Sequence, residues 1–366
     1  MNFFSRLWVF PLGSLLVGVA PASAQLIPNL PQIPRTTVTD QVVTEENLQT
    51  NTQVFTGAVS DRVSDALRSF DSGDFGAQQT AFAWGQSGIE LTAPAVGGTS
   101  GARLDGWGRM STSWLDDNFT DTAMSGRIHT PVLGLDRVQG ATVLGMALGY
   151  ERIDLSTKFN NGKLTADGVS ILPYIGTRLT NDLILDGGIN YSSLRYHRQD
   201  NRNNSRASQR SFNADRLLLF SNLTAYAPAS WTGGVVGLSA RTGLSWAVES
   251  QAGSKDSSGR AIGGGVNRLG RWTAGLRADG KATPGSDGTP GFVPLASLTY
   301  QLDFVQNNDT ELNETRRPKD RSSLLGGVGF SVGLTPRAQL TAEYNRVFAR
   351  KKLDSQTLLI ATRISL

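Results

Sequence analysis

The chain has 366 residues, 39% of them hydrophobic and 41 of them glycine, with a formal net charge of +4, two histidines and no cysteine. A mean hydropathy of −0.21 is out of line with a bundle of membrane-spanning helices, the small charge gives no reason to expect nucleic acid, and the missing thiols exclude disulfide staples. A closed sheet in a membrane stays open, because it needs apolar side chains on its outer face alone.

Met1 to Ala24 reads as a cleaved secretory signal: Arg6 in the n-region, an apolar run from Leu7 to Ala20, and Ala22-Ser23-Ala24 before Gln25. The run holds Pro11 and is shorter than the roughly 20 residues of a spanning helix. No later segment reaches that length without charge or a run of Gly and Ser, so any later span must be made of strands. Residues 25–100 form a short N-terminal region. Gln25 to Thr39 is punctuated by Pro28, Pro31 and Pro34 and predicts an extended, mobile segment. From Glu45 to Phe70 a helix is predicted, with Leu48, Phe55, Val59, Val63, Leu67 and Phe70 in one stripe, a start signal at Thr44-Glu45-Glu46 and a stop at Ser72-Gly73. A polar lumen gives that stripe no reward, so it docks on a partner or a passenger remnant, or else only its polar side, Asp61, Arg62, Asp65 and Arg68, touches a barrel wall. Asp71 to Asp105 reads as linker with one short strand around Ile89 to Leu91.

From residue 101 onward the chain predicts an all-β fold, an antiparallel transmembrane barrel of about twelve strands. The strands run Trp107 to Leu115, Arg127 to Arg137, Ala141 to Ser156, Leu164 to Thr180, Leu183 to His197, Arg210 to Tyr226, Thr232 to Val248, Val266 to Asp279, Phe292 to Phe304, Ser322 to Leu334, Ala338 to Ala349 and Ser355 to Leu366. In Val143 to Glu151, Leu144, Met146, Leu148 and Tyr150 share one face, suited to lipid, and Gly145, Ala147, Gly149 and Glu151 the other. Parity is ambiguous in Ser170 to Leu179 and Leu217 to Tyr226, where apolar residues run continuously. Connections alternate in length: Gln139-Gly140, Thr180-Asn181-Asp182, Pro228 to Trp231 and Thr335-Pro336-Arg337 are tight, whereas Gln199 to Gln209, Gln251 to Gly265 and Val305 to Arg321 are long and polar. The long Gly280 to Gly291 breaks that rule. The lumen then collects Arg109, Asp136, Glu151, Asp186, Arg241, Arg271, Arg277, Asp303, Glu343 and Arg363, charges of both signs that pair across a narrow pore.

Gly329-Phe330-Ser331-Val332-Gly333 matches a nucleophile pattern that needs a strand-to-helix turn, yet it sits inside an alternating strand. His129 and His197 are not placed beside a serine by local spacing, as a barrel phospholipase requires, and two isolated histidines leave no credible zinc site. Arg198, Arg202, Arg206 and Arg210 suit an anionic glycan or lipopolysaccharide phosphate, although loop charges of this kind ordinarily stay solvated.

Trp107-Gly108-Arg109, Gly134-Leu135-Asp136, Val143 to Tyr150, Pro173-Tyr174 and a last strand at the chain terminus, in that order, resemble the autotransporter β-domain, the translocator barrel of type V secretion. The resemblance covers about residues 100 to 366. It implies a monomeric outer-membrane barrel of a Gram-negative cell, without catalysis or cofactor, that exports or displays its own N-terminal region. Its partners would be outer-membrane lipid and lipopolysaccharide, periplasmic chaperones and the barrel-assembly machinery. Leu358, Ile360, Ile364 and Leu366 would form the insertion signal, with Leu366 in the slot the family usually gives to an aromatic. Between Ala24 and Trp107 no long β-helical stalk is expected. Some relatives cleave at an Asn pair in the pore helix; Asn160-Asn161, Asn203-Asn204 and Asn307-Asn308 all fall in predicted loops, so no such cleavage is expected. A passengerless channel or structural barrel and a surface hydrolase with a loop-built site are the alternatives.

Overall fold

The computed structural model describes residues 38–71, 90–92, 102–118, 123–158, 161–201, 208–280, 292–308, 321–335, 338–350 and 353–365. The chain divides into two units, 1–33 and 34–366, and only the second falls within the described residues. The signal peptide, most of the Pro-rich segment, and residues 202–207, 281–291 and 309–320 lie outside them.

Alternation of side chains about the strand axis gives twelve long strands. They are β1 Ala102–Asp117, β2 Met124–Gln139, β3 Thr142–Thr157, β4 Gly162–Thr180, β5 Leu183–Asp200, β6 Ser208–Tyr226, β7 Val236–Gln251, β8 Gly265–Gly280, β9 Val293–Asn308, β10 Ser322–Thr335, β11 Ala338–Phe348 and β12 Leu353–Ser365. Each pairs antiparallel with its sequence neighbours, and β12 returns to β1, closing a twelve-stranded barrel. The closing ladder is short: Leu353, Asp354, Ser355 and Gln356 oppose Asp117, Asp116, Leu115 and Trp114. At the other end of β12, the strand Glu90–Thr92 pairs parallel with Arg363, Ile364 and Ser365.

Short connections gather at one end, the turn end. Gln139 opposes Thr142 across Gly140-Ala141, and Gly140 takes φ +56°, the left-handed conformation that a two-residue hairpin starting with glycine requires. Between β6 and β7 the connection is longer than the predicted strand start at Thr232 implies. Ala229–Trp231 is one 3-10 turn, and Gly233 and Gly234 follow at φ +62° and +73°, which ends any ladder before Val236. The connections at the opposite, loop end include a small hairpin in which Ser254 and Lys255 pair with Ile262 and Ala261.

The helix α1 spans Val38–Asp71, seven residues earlier than predicted, since no Pro or Gly after Pro34 stops it from propagating back. Its N-terminus lies at the loop end and its C-terminus at the turn end, as its partners show: Asn47 bonds Tyr196 near the top of β5, and the Leu67 carbonyl accepts from Arg178 near the bottom of β4. The guanidinium there also complements the negative end of the helix dipole.

The lumen is not uniformly polar, and here the structure corrects the sequence reading. Leu48, Phe55, Val59, Val63 and Leu67 are buried against Val132, Val143, Ala147, Leu172, Tyr174, Leu218 and Phe220. The ambiguous apolar runs are thereby resolved. Leu172, Tyr174, Leu218 and Phe220 point inward onto the helix, while Ile171, Ile175, Leu217 and Leu219 point outward. Gly149 and Gly176 bring the wall close enough that an added Cβ would strike the Phe55 ring and Val63 respectively.

Polarity inverts toward the loop end of β3 to β6. Beyond Tyr150, Val169, Tyr191 and Leu217 the outward positions become Arg152, Asp167, Arg195 and Asp215. The inward positions at that level are apolar: Ile153, Leu155, Leu164, Ala166, Leu194, Tyr196, Phe212 and Ala214 form a second buried cluster. This part of the wall has the face pattern of a sheet in water, polar outside and apolar within.

Candidate functional site

Three consecutive helix residues reach three sides of the barrel. Ser60 donates to both carboxylate oxygens of Asp186 on β5 at 2.7 Å. Asp61 accepts from Arg109 on β1 at 2.9 Å and from Arg241 on β7 at 3.1 Å. Arg62 forks onto Asp136 on β2 at 2.7 and 2.9 Å, and that carboxylate also accepts from the Tyr174 hydroxyl at 2.8 Å, which in turn accepts from Trp107 Nε1 at 2.7 Å. A segment bonded to β1, β2, β5 and β7 at one level lies inside the ring of strands.

About two and a half turns toward the loop end the helix is held again. Asn51 donates to Glu151, and Asn47 donates to the Tyr196 hydroxyl at 3.0 Å. Arg216, 1% exposed, ties Glu151 at 2.9 Å to Glu249 at 2.7 Å, so one guanidinium serves two carboxylates. On the far wall Arg271 pairs with Asp303 at 2.6 Å, and Arg350 joins the same carboxylate at 3.1 Å while donating to Gln49 and standing 3.6 Å from Glu46. Arg277 pairs with Asp279 at 2.8 Å and approaches Glu343 at 3.8 Å. Removing each of these charges from water costs several kcal/mol, and the attraction offsets that cost only because the partners are close and further hydrogen bonds satisfy the remaining groups.

Nine of the ten residues assigned to the lumen have described side chains. Asp136, Glu151, Asp186, Arg271, Arg277, Asp303 and Glu343 are buried, and Arg109 and Arg241 are nearly so. Arg109, Asp136, Glu151, Asp186 and Arg241 bond the helix directly; Arg271, Arg277, Asp303 and Glu343 bond one another or Arg350. Arg363 lies in β12 opposite Gln339, and its side chain is outside the described residues, as are those of Leu358, Ile360 and Ile364, while Leu366 itself falls outside them. On the helix both faces are engaged: Leu48, Phe55, Val59, Val63 and Leu67 of the apolar stripe and Asp61 and Arg62 all touch the wall, and the Phe70 side chain is not among those described. The side chains of Asp65 and Arg68 are not among those described. Sequence reasoning missed Arg216, Glu249, Tyr174 and Tyr196 as inward groups. Carrying the parity of Asp186 and Glu151 across the register would have found them, since Glu249 opposes Arg216 directly.

Beside the helix, toward the wall of β8 to β11, lies a cavity of about 100 Å³ lined by Gln53, Thr56, Arg241, Arg277, Gln301 and Glu343. Ser331 is buried within β10, on a continuous strand rather than at a strand-to-helix turn. His129 Nδ1 stands 3.0 Å from Thr112 Oγ1 and His197 Nδ1 2.8 Å from Ser211 Oγ. Both are outward cross-strand neighbours, and the repeated pattern marks ordinary sheet pairing. Of the three Asn pairs, Asn307-Asn308 ends β9 instead of lying in a loop; Asn203-Asn204 is outside the described residues, and Asn161 takes φ +49°. No group of three or more His, Cys, Asp or Glu stands ready for a metal among the described residues.

The fold recurs in solved structures. The translocator domain of autotransporter NalP from Neisseria meningitidis aligns with a TM-score of 0.58 at 16% identity over 88% of this chain and 98% of that one. The β-domain of the Bordetella autotransporter Brka gives 0.56 at 15% over 70% and 97%. The transport unit of AIDA-I from Escherichia coli gives 0.53 at 12% over 71% and 90%. No curated protein matches the chain in sequence. The family model of the autotransporter β-domain matches residues 106–345, from the second turn of alternation in β1 to β11, so this closed barrel with its inward helix belongs to the autotransporter β-domain family, the outer-membrane translocators of type V secretion.

Proposed function

We propose that the barrel exports or displays the chain's own N-terminal region and performs no catalysis. The observation that carries this reading is the helix held between the walls with its N-terminus at the loop end. Short turns face the periplasm in outer-membrane barrels, which puts the loop end outside the cell. On this reading residues 1–24 are removed on export, 25–100 hold the exported segment and the pore helix, and 101–366 form the translocator. Outer-membrane lipid and lipopolysaccharide surround a monomer that periplasmic chaperones and the barrel-assembly machinery deliver, with Leu358, Ile360, Ile364 and Leu366 as the insertion terminus.

An epitope inserted after Gln25 tests the reading. Antibody should label it on intact cells; labelling only after the outer membrane is permeabilised would reject export and leave a plugged structural barrel. The interior position of Ser331 favours no hydrolase, and Ser331→Ala should leave any esterase signal of the purified barrel unchanged.

A further inference from the structure

The loop arginines that the sequence offers to an anion do not reach the lipid side of the wall: Arg198 and Arg210 face inward, each 8% exposed, and Arg202 and Arg206 are outside the described residues. A different guanidinium does reach it. Where β12 returns to β1, a groove of about 500 Å³ opens at the loop end, and its outward lining is Trp114, Asp116, Ser125, Arg127, Tyr344 and Gln356. Gln356 opposes Trp114 in the closing ladder, and Trp114 opposes Arg127 in the next. Tyr344 lies on β11 two residues before Arg346, which opposes Gln356 from the other side. Trp114, Arg127, Tyr344 and Gln356 are all exposed, so the groove crosses four strands on the face that continues into the outward apolar band.

Arg127 is open to a ligand because both acids near it are taken. Asp154, its register partner on β3, pairs with Lys163 at 3.0 Å, and Asp116 pairs with Lys158 at 2.9 Å. Arg127 itself makes no ion pair among the described residues. A guanidinium forks onto phosphate oxygens, while the Trp114 and Tyr344 rings and the Gln356 amide suit the ring and hydroxyls of a sugar. Position narrows the source. Trp114 lies four residues above Met110, where the outward apolar run of β1 ends, and Arg127 lies four residues beyond Pro131, where that of β2 ends. At roughly 3.3 Å per residue and a strand tilt near 40°, both stand about 10 Å above the apolar band. Sugar and phosphate, not acyl chains, occupy that level on an outer leaflet of glycolipid.

We propose that this groove holds the phosphorylated sugar headgroup of one outer-leaflet glycolipid, which thereby bridges β11, β12, β1 and β2 across the short closing ladder. The full-length barrel in detergent is titrated with bisphosphorylated lipid A, with the same lipid dephosphorylated, and with phosphatidylglycerol. Arg127 is exposed, so Arg127→Glu should fold, which heat-resistant gel mobility verifies; Tyr344→Ala removes a ring and leaves every charge in place. Arg195→Glu, an exposed outward arginine on β5 outside the groove, is the control. Phosphorylated lipid A should bind, with affinity falling about tenfold or more in Arg127→Glu and on dephosphorylation, falling severalfold in Tyr344→Ala, and unchanged in the control. Bound lipid should also raise the temperature at which heat-resistant mobility is lost, in the native chain and not in Arg127→Glu. Equal affinity for phosphorylated and dephosphorylated lipid, or for the native chain and Arg127→Glu, overturns the site, and so does an equal loss in Arg195→Glu. Phosphatidylglycerol binding as tightly as lipid A overturns the glycolipid assignment. The assignment rests on the loop end facing outside the cell, but binding in detergent is read without it and the epitope reads export separately.

Discussion

Arg62 is the residue on which the helix position most depends. It is 4% exposed, and its fork satisfies an Asp136 carboxylate that is 1% exposed. Arg62→Ala leaves that carboxylate buried without its guanidinium, a loss of about 3–5 kcal/mol. The expected result is a folded barrel whose helix disengages, read as a lower temperature for loss of heat-resistant mobility; an unchanged temperature would show that Tyr174 alone suffices. Gly176 makes a steric counterpart. Gly176→Val drives a side chain into Val63 and should cost about 1–3 kcal/mol by overpacking, while the same change at exposed Gly237, where an added Cβ meets nothing nearer than 3.9 Å, should cost less. Asp256 gives a pH effect outside the membrane. Its carboxyl is held below the usual range, first by the Ser258 hydroxyl and then by the Arg260 and Ser258 amides. A depressed folded value means that the turn is supported above the unfolded carboxylate range, near 3.8, and loses that support as pH falls through the lower folded value. Ser258 and Arg260 amides should therefore lose protection from exchange only under strongly acidic conditions, and Asp256→Asn should remove that pH dependence. Single charges such as Asp136 and Asp186 were legible because parity alone places them inward; Arg216 was not, because it borders an apolar run in which parity carries no polar signal.

At the scale of elements the twelve strands were legible and the lumen was not. Strand existence follows from period-two alternation and turn residues, which are local, and predicted and observed boundaries differ by a few residues. The helix stripe was visible too, but its destination depends on which strand faces meet across the barrel, which is non-local. An apolar helix face and apolar inward runs on β4 and β6 are one fact seen twice, and neither explains itself without the other. The inverted face pattern at the tops of β3 to β6 was hidden for a similar reason, since a single parity was carried along each whole strand. These contacts alter what helix deletion should do. Removing residues 38–71 exposes Val143, Leu172, Leu218 and Phe220 to a water-filled lumen, each a loss of about 1.5–3 kcal/mol of burial at most. The deletion variant should conduct more in a planar bilayer, because a helix about 10 Å across no longer obstructs the pore. It should also unfold at lower temperature. Higher conductance with undiminished heat resistance would mean that the helix contacts contribute little to the barrel.

For the whole molecule the weakest join is the seam. Eleven strand pairs follow sequence order, whereas β12 meets β1 along four residue pairs at the loop end. Closure is nevertheless what satisfies the edge groups of both strands, since an open edge in hydrocarbon leaves N–H and C=O groups without partners at several kcal/mol each. Trypsin on intact cells should therefore cut only outside the ladder, between Gln199 and Arg210 or between Thr315 and Arg321, and leave a heat-resistant core; cleavage confined to permeabilised cells would invert the orientation.

The seam itself is open to a covalent test because the chain has no cysteine. Leu115 and Ser355 are register partners across it, and directly opposed antiparallel residues have Cα separations of about 4.5–5.5 Å, within the range a disulfide spans. Leu115→Cys with Ser355→Cys should cross-link during export through the oxidising periplasm. After boiling, the cross-linked chain is a closed loop and should migrate faster without reductant than with it. Each single variant should show no such difference. A double variant that stays reduced while keeping heat-resistant mobility would place the closing ladder in another register, and one that also loses that mobility would mean that the four-pair seam does not tolerate the change. Only efficient cross-linking in a heat-resistant barrel is consistent with β12 returning to β1 at these four pairs.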